Sequence, residues 1–83
     1  MAEIDIIVYG TDWCGDCRRS KKFLDSNQIT YRWINIDLDK KSEEVVLALN
    51  HGIRSVPTIV FPDGTVLVEP PNSLLADKLN IPS

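Results

Sequence analysis

Short apolar runs rich in β-branched residues alternate along the chain with stretches whose apolar residues recur at helical spacing. The run Ile4-Asp-Ile-Ile-Val-Tyr9, closed by Gly10, predicts a buried strand. From Gly15 to Asn27, Gly and Pro disappear after the start and helix formers dominate. Cys17, Phe23 and Leu24 fall on one side of this helix, while Arg18, Arg19, Lys21, Lys22 and Asp25 can reach water. Tyr31-Arg-Trp-Ile-Asn-Ile36 alternates in part and predicts a second strand. A strand, a helix and a strand at this spacing form a right-handed βαβ unit with parallel strands.

A second helix is expected to start at Ser42, ahead of Glu43 and Glu44, with Val45, Val46 and Leu49 as its apolar stripe. Asn50-His51-Gly52 ends it with residues that tolerate left-handed backbone, so His51 reads as a cap rather than a base. Thr58–Phe61 and Thr65–Val68 flank Pro62-Asp63-Gly64, a turn signal that pairs them as a hairpin. Ser73 is expected to cap a last helix carrying Leu74, Leu75 and Leu79. The order β-α-β-α-β-β-α predicts an α/β fold, a mixed four-stranded sheet with helices on both faces. At 83 residues the chain has room for one domain, 1–83, with one modest core.

Composition narrows the function. A hydrophobic share of 43% and a charged share of 25% are ordinary for a globular protein. The net charge of -3 gives no footprint for nucleic acid. The first apolar run is too short to span a membrane, and the acidic start Met-Ala-Glu-Ile-Asp lacks the positive region of a signal peptide, so a cytoplasmic protein is expected.

Candidate chemistry centres on Trp13-Cys14-Gly15-Asp16-Cys17, at the junction of the first strand and first helix. Two intervening residues at a helix start let both sulfurs approach bonding distance within one turn. The first cysteine meets unpaired backbone N–H groups and the positive end of the helix dipole, which favour a negatively charged sulfur. Cys14 is therefore the candidate nucleophile, and Cys17, one turn further in, the resolving thiol. Asp12 and Asp16 place negative charge nearby, which predicts a reducing rather than an oxidising protein. A bridge from 14 to 17 closes a very short loop and stabilises little, against a purely structural pair. Half a zinc site would need two more ligands, and the chain offers only His51 among strong candidates. No metal or organic cofactor is expected.

Arg54-Ser55-Val56-Pro57-Thr58 is the second constellation. Proline directly before a strand is unusual, since it cannot donate to a ladder. A cis Val56–Pro57 bond would turn the Val56 backbone toward Cys14, where an extended substrate segment could pair with it; a trans proline opening a strand is the alternative. Arg54 is either a receptor for a substrate carboxylate or a solvated loop charge. The basic residues Arg18, Arg19, Lys21 and Lys22 either guide an acidic partner or form a solvated face. Trp13 is expected beside Cys14 as an exposed apolar contact, and Trp33 is expected to pack against a helix.

Over nearly its full length the chain resembles a glutaredoxin. The matching pieces are the strand leading into Trp13-Cys14-x-x-Cys17, the Val56-Pro57 pair and the Pro62-Asp63-Gly64 hairpin. Asn50-x-Gly52-x-Arg54-x-Val56-Pro57-Thr58 is similar to the mycoredoxin branch of that family. The resemblance implies a thioredoxin-like fold, a cis Pro57, Cys14 as attacking thiolate, and the Val56 main chain as a clamp for the cysteinyl part of a thiol substrate. It places the substrate site at Thr11, Asp12, Trp13, Arg54, Val56 and Pro57. Thr11 stands where many glutaredoxins carry Lys, and Val68-Glu-Pro-Pro-Asn-Ser73 replaces their Gly-Gly and acidic pair, so parts of the usual glutathione site are missing. Val8 stands where thioredoxins carry a buried acid.

The expected activity is a monomeric thiol–disulfide oxidoreductase whose redox-active centre is the Cys14–Cys17 disulfide. It would act on disulfide-containing proteins or mixed disulfides, with a low-molecular-weight thiol such as glutathione or mycothiol as co-substrate. Three alternatives stand beside it. One is a thioredoxin-like electron donor served by a flavoprotein (thioredoxin) reductase; another is a redox-inert binding module. The last is an iron–sulfur or zinc carrier bridging two chains through Cys14.

Overall fold

The computed structural model describes residues 5–82; Ile4, placed in the first predicted strand, lies outside them. Four strands, β1 (Ile6–Gly10), β2 (Tyr31–Asn35), β3 (Thr58–Val60) and β4 (Val66–Val68), form one mixed sheet. Three helices complete the chain: α1 (Gly15–Ser26), α2 (Lys40–Leu49) and α3 (Asn72–Leu79). The strand order is β2-β1-β3-β4. β1 runs parallel to β2, with Val8 opposite Trp33, and antiparallel to β3, with Val8 opposite Ile59. β3 and β4 are the predicted hairpin, with Ile59 opposite Leu67. This is the expected α/β architecture, with β1 flanked by a strand on each side.

The period-2 alternation of β1 sorts the core into two halves. Ile6 and Val8 pack with Leu24 of α1, Ile59, Phe61 and Leu75 of α3. Ile7 and Tyr9 pack on the opposite face with Ile34, Ile36, Val56, Val60 and Val46 of α2. Fully burying a side chain such as Leu24 or Leu75 stabilises by about 1.5–3 kcal/mol, so the first face is the stronger anchor.

Local chemistry moves several ends from their expected places. α2 starts one turn earlier than Ser42 because Asp39 is the cap, its Oδ1 accepting the Ser42 N–H at 3.2 Å. α3 starts at Asn72 after Pro71, with no side-chain cap; Ser73 already lies inside the helix. The Pro71 carbonyl accepts from the Leu74 and Leu75 N–H groups instead. Val45, Leu49 and Leu74, expected in apolar stripes, are exposed; α2 buries Val46, and α3 buries Leu75 and Ala76. His51 and Gly52 take left-handed backbone after α2, as their residue types suggested.

Candidate active site

Gly10 ends β1, and four residues later Cys14 opens α1, so the parallel strand delivers the cysteines to the edge of the sheet. Cys14 is itself the N-cap of α1: its Sγ accepts the Cys17 backbone N–H at 3.1 Å. A sulfur in that position receives an orphan helix donor and the positive end of the dipole. The Cys14 thiol donates to the Val56 carbonyl at 3.7 Å. Its exposure is 8%, against 0% for Cys17, so the outer thiol is recessed and the inner one sealed. Both cysteines are free thiols.

Burial, and then the hydrogen bond with Cys14, push the Cys17 thiol up from 9.0 to about 12. The Thr11 backbone works in the opposite direction on the same sulfur. Cys17 is thus the inward cysteine, as its place one turn into the helix suggested, and its buried thiol resists ionisation. Gly10 explains how it is accommodated. A Cβ there would stand 2.6 Å from Cys17 Sγ and 2.7 Å from the Trp33 ring, so the residue must be glycine for strand, sulfur and indole to meet.

The Val56–Pro57 bond is cis, as the resemblance implied. Pro57 is buried, and its carbonyl accepts the Glu69 N–H at 2.8 Å, which links this loop to the end of β4.

The remaining predicted residues divide. Trp13 is 65% exposed beside Cys14, and its Nε1 donates to Asp37 Oδ2 at 2.9 Å. Asp12 is exposed, and its carbonyl accepts Arg18 Nη1 at 2.7 Å. Thr11 is buried, with its hydroxyl lacking a hydrogen-bond partner among the described residues. Arg54 is held between two carboxylates: Nη2 pairs with Asp37 Oδ1, and Nε donates to Glu43 Oε2 at 2.6 Å. The Arg54 guanidinium, followed by the Trp13 indole, holds the Asp37 carboxyl below the usual carboxylate range, and Arg54 likewise lowers Glu43.

The basic face of α1 is also largely engaged. Arg18 bonds the Asp12 carbonyl. Arg19 holds Asn72 Oδ1 at 2.7 Å and the Pro70 carbonyl at 3.1 Å, tying α1 to the segment before α3. Lys21 Nζ lies 3.7 Å from the Trp33 ring centroid, a cation–π contact. Among the described residues, no group of three or more His, Cys, Asp or Glu side chains could hold a metal ion, and no helix is long and apolar enough to cross a membrane.

Sequence reasoning missed Gly10, Asp37 and Glu43 as parts of this region. Gly10 signalled only a strand end, because its contact with Trp33 is tertiary. Asp37 and Glu43 carried the ordinary signature of loop and helix-start acids.

Known proteins are similar to this arrangement. The glutaredoxin family model matches residues 6–67. A Mycobacterium tuberculosis protein named as a glutaredoxin is 38% identical over 79 residues, covering 95% of this chain and 94% of its own length. Mycoredoxin 1 of Corynebacterium glutamicum is 39% identical over 66 residues, covering 80% of this chain and 81% of its own length. The crystal structure of a variant of a thioredoxin-like protein superposes with a TM-score of 0.84 at 29% identity, covering 96% of this chain and all of that one. Fold, cysteine pair and these likenesses converge: the chain belongs to the glutaredoxin family and is a glutaredoxin-like thiol–disulfide oxidoreductase.

Proposed function

We propose that Cys14 is the attacking thiol and Cys17 the resolving thiol of this enzyme. The observation that carries the assignment is Cys14 Sγ in the N-cap position of α1, accepting the Cys17 N–H at 3.1 Å. Ionised Cys14 attacks one sulfur of a substrate disulfide. That S–S bond breaks, the first thiol leaves with a proton from water, and a Cys14 mixed disulfide remains. Cys17 then gives up its proton and attacks the Cys14 sulfur. The second substrate thiol is released, and a Cys14–Cys17 disulfide holds the two electrons' worth of oxidation.

The Val56 carbonyl lies at the Cys14 sulfur, and the buried Pro57 backs it. This supports the Val56 main chain as a clamp for an extended cysteinyl segment, with Trp13 as an apolar wall. No prosthetic group takes part. The likeness to a mycoredoxin supports mycothiol as the returning small thiol, with protein disulfides or their mixed disulfides as substrates. The burial of Thr11, in place of an outward-reaching lysine, weakens the case for glutathione. It acts as a monomer in the cytoplasm, with the elements from β1 to α3 folded around one sheet.

A panel assay tests this reading. Turnover of a mixed disulfide should be supported by mycothiol better than by glutathione, and Cys14→Ser should abolish it. Full turnover with a thioredoxin reductase, and none with either thiol, would assign the chain instead to the thioredoxin-like electron donors.

A further inference from the structure

We infer that Asp37 is a positioning residue for the reaction, holding Trp13 and Arg54 together as one fixed wall beside the Cys14 site. The inference rests on the reading that Cys14 attacks substrate at this site. Each oxygen of Asp37 serves a different loop: Oδ2 accepts the Trp13 indole N–H, and Oδ1 pairs with Arg54. Trp13 directly precedes Cys14, and Arg54 lies two residues before Val56, whose carbonyl meets the Cys14 sulfur. One carboxylate therefore connects the segment that carries the nucleophile to the segment that carries the clamp.

Asp37 is in turn held from behind. Its backbone N–H donates to Asn35 Oδ1 at 2.9 Å, and the Leu38 N–H donates to the Asn35 carbonyl at 3.1 Å, which anchors the turn to the end of β2. Glu43 grips Arg54 from α2 and lies 3.4 Å from Lys40 Nζ. Two loops thus meet on the exposed carboxylate of a third, and the start of α2 holds one of them through Glu43.

Magnitude separates positioning from stability here. Exposed ion pairs contribute little to folding, and part of that goes to ordering long side chains. Trp13, at 65% exposure, has little packing to choose its rotamer. A charge-assisted bond to Asp37 selects one orientation, keeping the indole beside Cys14 rather than sweeping across it. The same carboxylate occupies Arg54, so the wall offers substrate an apolar indole and a neutralised guanidinium rather than a free cation.

A double-mutant cycle with Asp37→Asn and Trp13→Phe tests the inference, using reduction of bis(2-hydroxyethyl) disulfide and of insulin as readouts. Asp37→Asn should lower kcat/KM about tenfold, mainly through KM. The double variant should be no worse than the poorer single variant, because both remove the same wall. Alkylation of Cys14 by iodoacetamide, a reagent that needs no wall, should keep its wild-type rate in Asp37→Asn. Multiplicative losses in the double variant, a wild-type kcat/KM in Asp37→Asn, or an equal loss in alkylation would each overturn the positioning role. Absence of disulfide turnover in the wild-type protein would instead defeat the functional reading beneath it.

Discussion

The two sides of the Cys14 site are built from different materials. On the α1 side, Cys17 and Trp33 leave no room for a side chain at Gly10, beside a core of Val8, Leu24, Ile59 and Leu75 with no exposure. On the α2 side a small core of Tyr9, Ile36 and Val46 lies under a charged lattice of Arg54, Asp37 and Glu43. Close packing is stiff and expensive to alter, whereas exposed ion pairs are cheap to rearrange and sensitive to pH. The sealed inner thiol thus sits in the rigid half, and the wall proposed to meet substrate sits in the adjustable half.

Substitutions on the two sides should separate stability from substrate handling. The largest effect belongs to Leu24→Ala, which opens a cavity in the α1 face and should cost about 2–5 kcal/mol in denaturant melts. A loss below the lower bound would mean that α1 closes over the gap and that this face is softer than its packing suggests. Gly10→Ala comes next, at about 1–3 kcal/mol, because the new methyl must displace Cys17 Sγ or the Trp33 ring. Its diagnostic sign is an altered Trp33 emission together with slower resolution of the Cys14 mixed disulfide.

Changes on the α2 side should be smaller. Asp37 and Glu43 have lowered native pKa values, so their pairing with Arg54 stabilises the fold fully above the ordinary carboxylate range. As pH falls, the unfolded chain binds protons first, and that stabilisation is lost as pH passes down through the lower native values. The pair between Asp63 of the β3–β4 turn and Lys78 of α3 follows the same rule, so wild-type melting alone mixes the two. Comparing melting curves of wild type and Glu43→Gln isolates the α2 side. They should differ slightly at neutral pH and converge in acid. A difference that stays constant down to pH 2 would contradict the pairing.

Cys17 provides the opposite sign. Its raised native pKa means that burial of the neutral thiol stabilises the fold below the ordinary thiol value, and this is lost as pH rises from about 9 toward 12. Alkylation of native protein should therefore modify Cys14 alone at neutral pH, and Cys17 only in strong alkali. Equal modification at neutral pH would show that the inner thiol is not sealed.

The rigid side was the more legible in sequence. The apolar, β-branched run through Ile6–Tyr9 and the placement of Cys14-Gly-Asp-Cys17 after it are local patterns, and they translate directly into a strand, a cap and a helix. Helix starts were less determinate where cap-forming residues crowd one turn: Asp39 displaced Ser42, and the Pro70-Pro71 step set α3 ahead of Ser73. The short α2 buries Val46 and leaves Val45 and Leu49 exposed, so the apolar spacing overstated its inner face. The adjustable wall was least legible. Arg54 finds Asp37 and Glu43 17 and 11 residues away, a pairing with no periodic signature.

Mass spectrometry of the whole protein after mild oxidation tests the central claim most directly. The two-thiol account predicts loss of two hydrogens, both cysteines blocked to alkylation, a peptide linked through Cys14 and Cys17, and full reversal by dithiothreitol. An unchanged mass, or a disulfide formed only between chains, would contradict it.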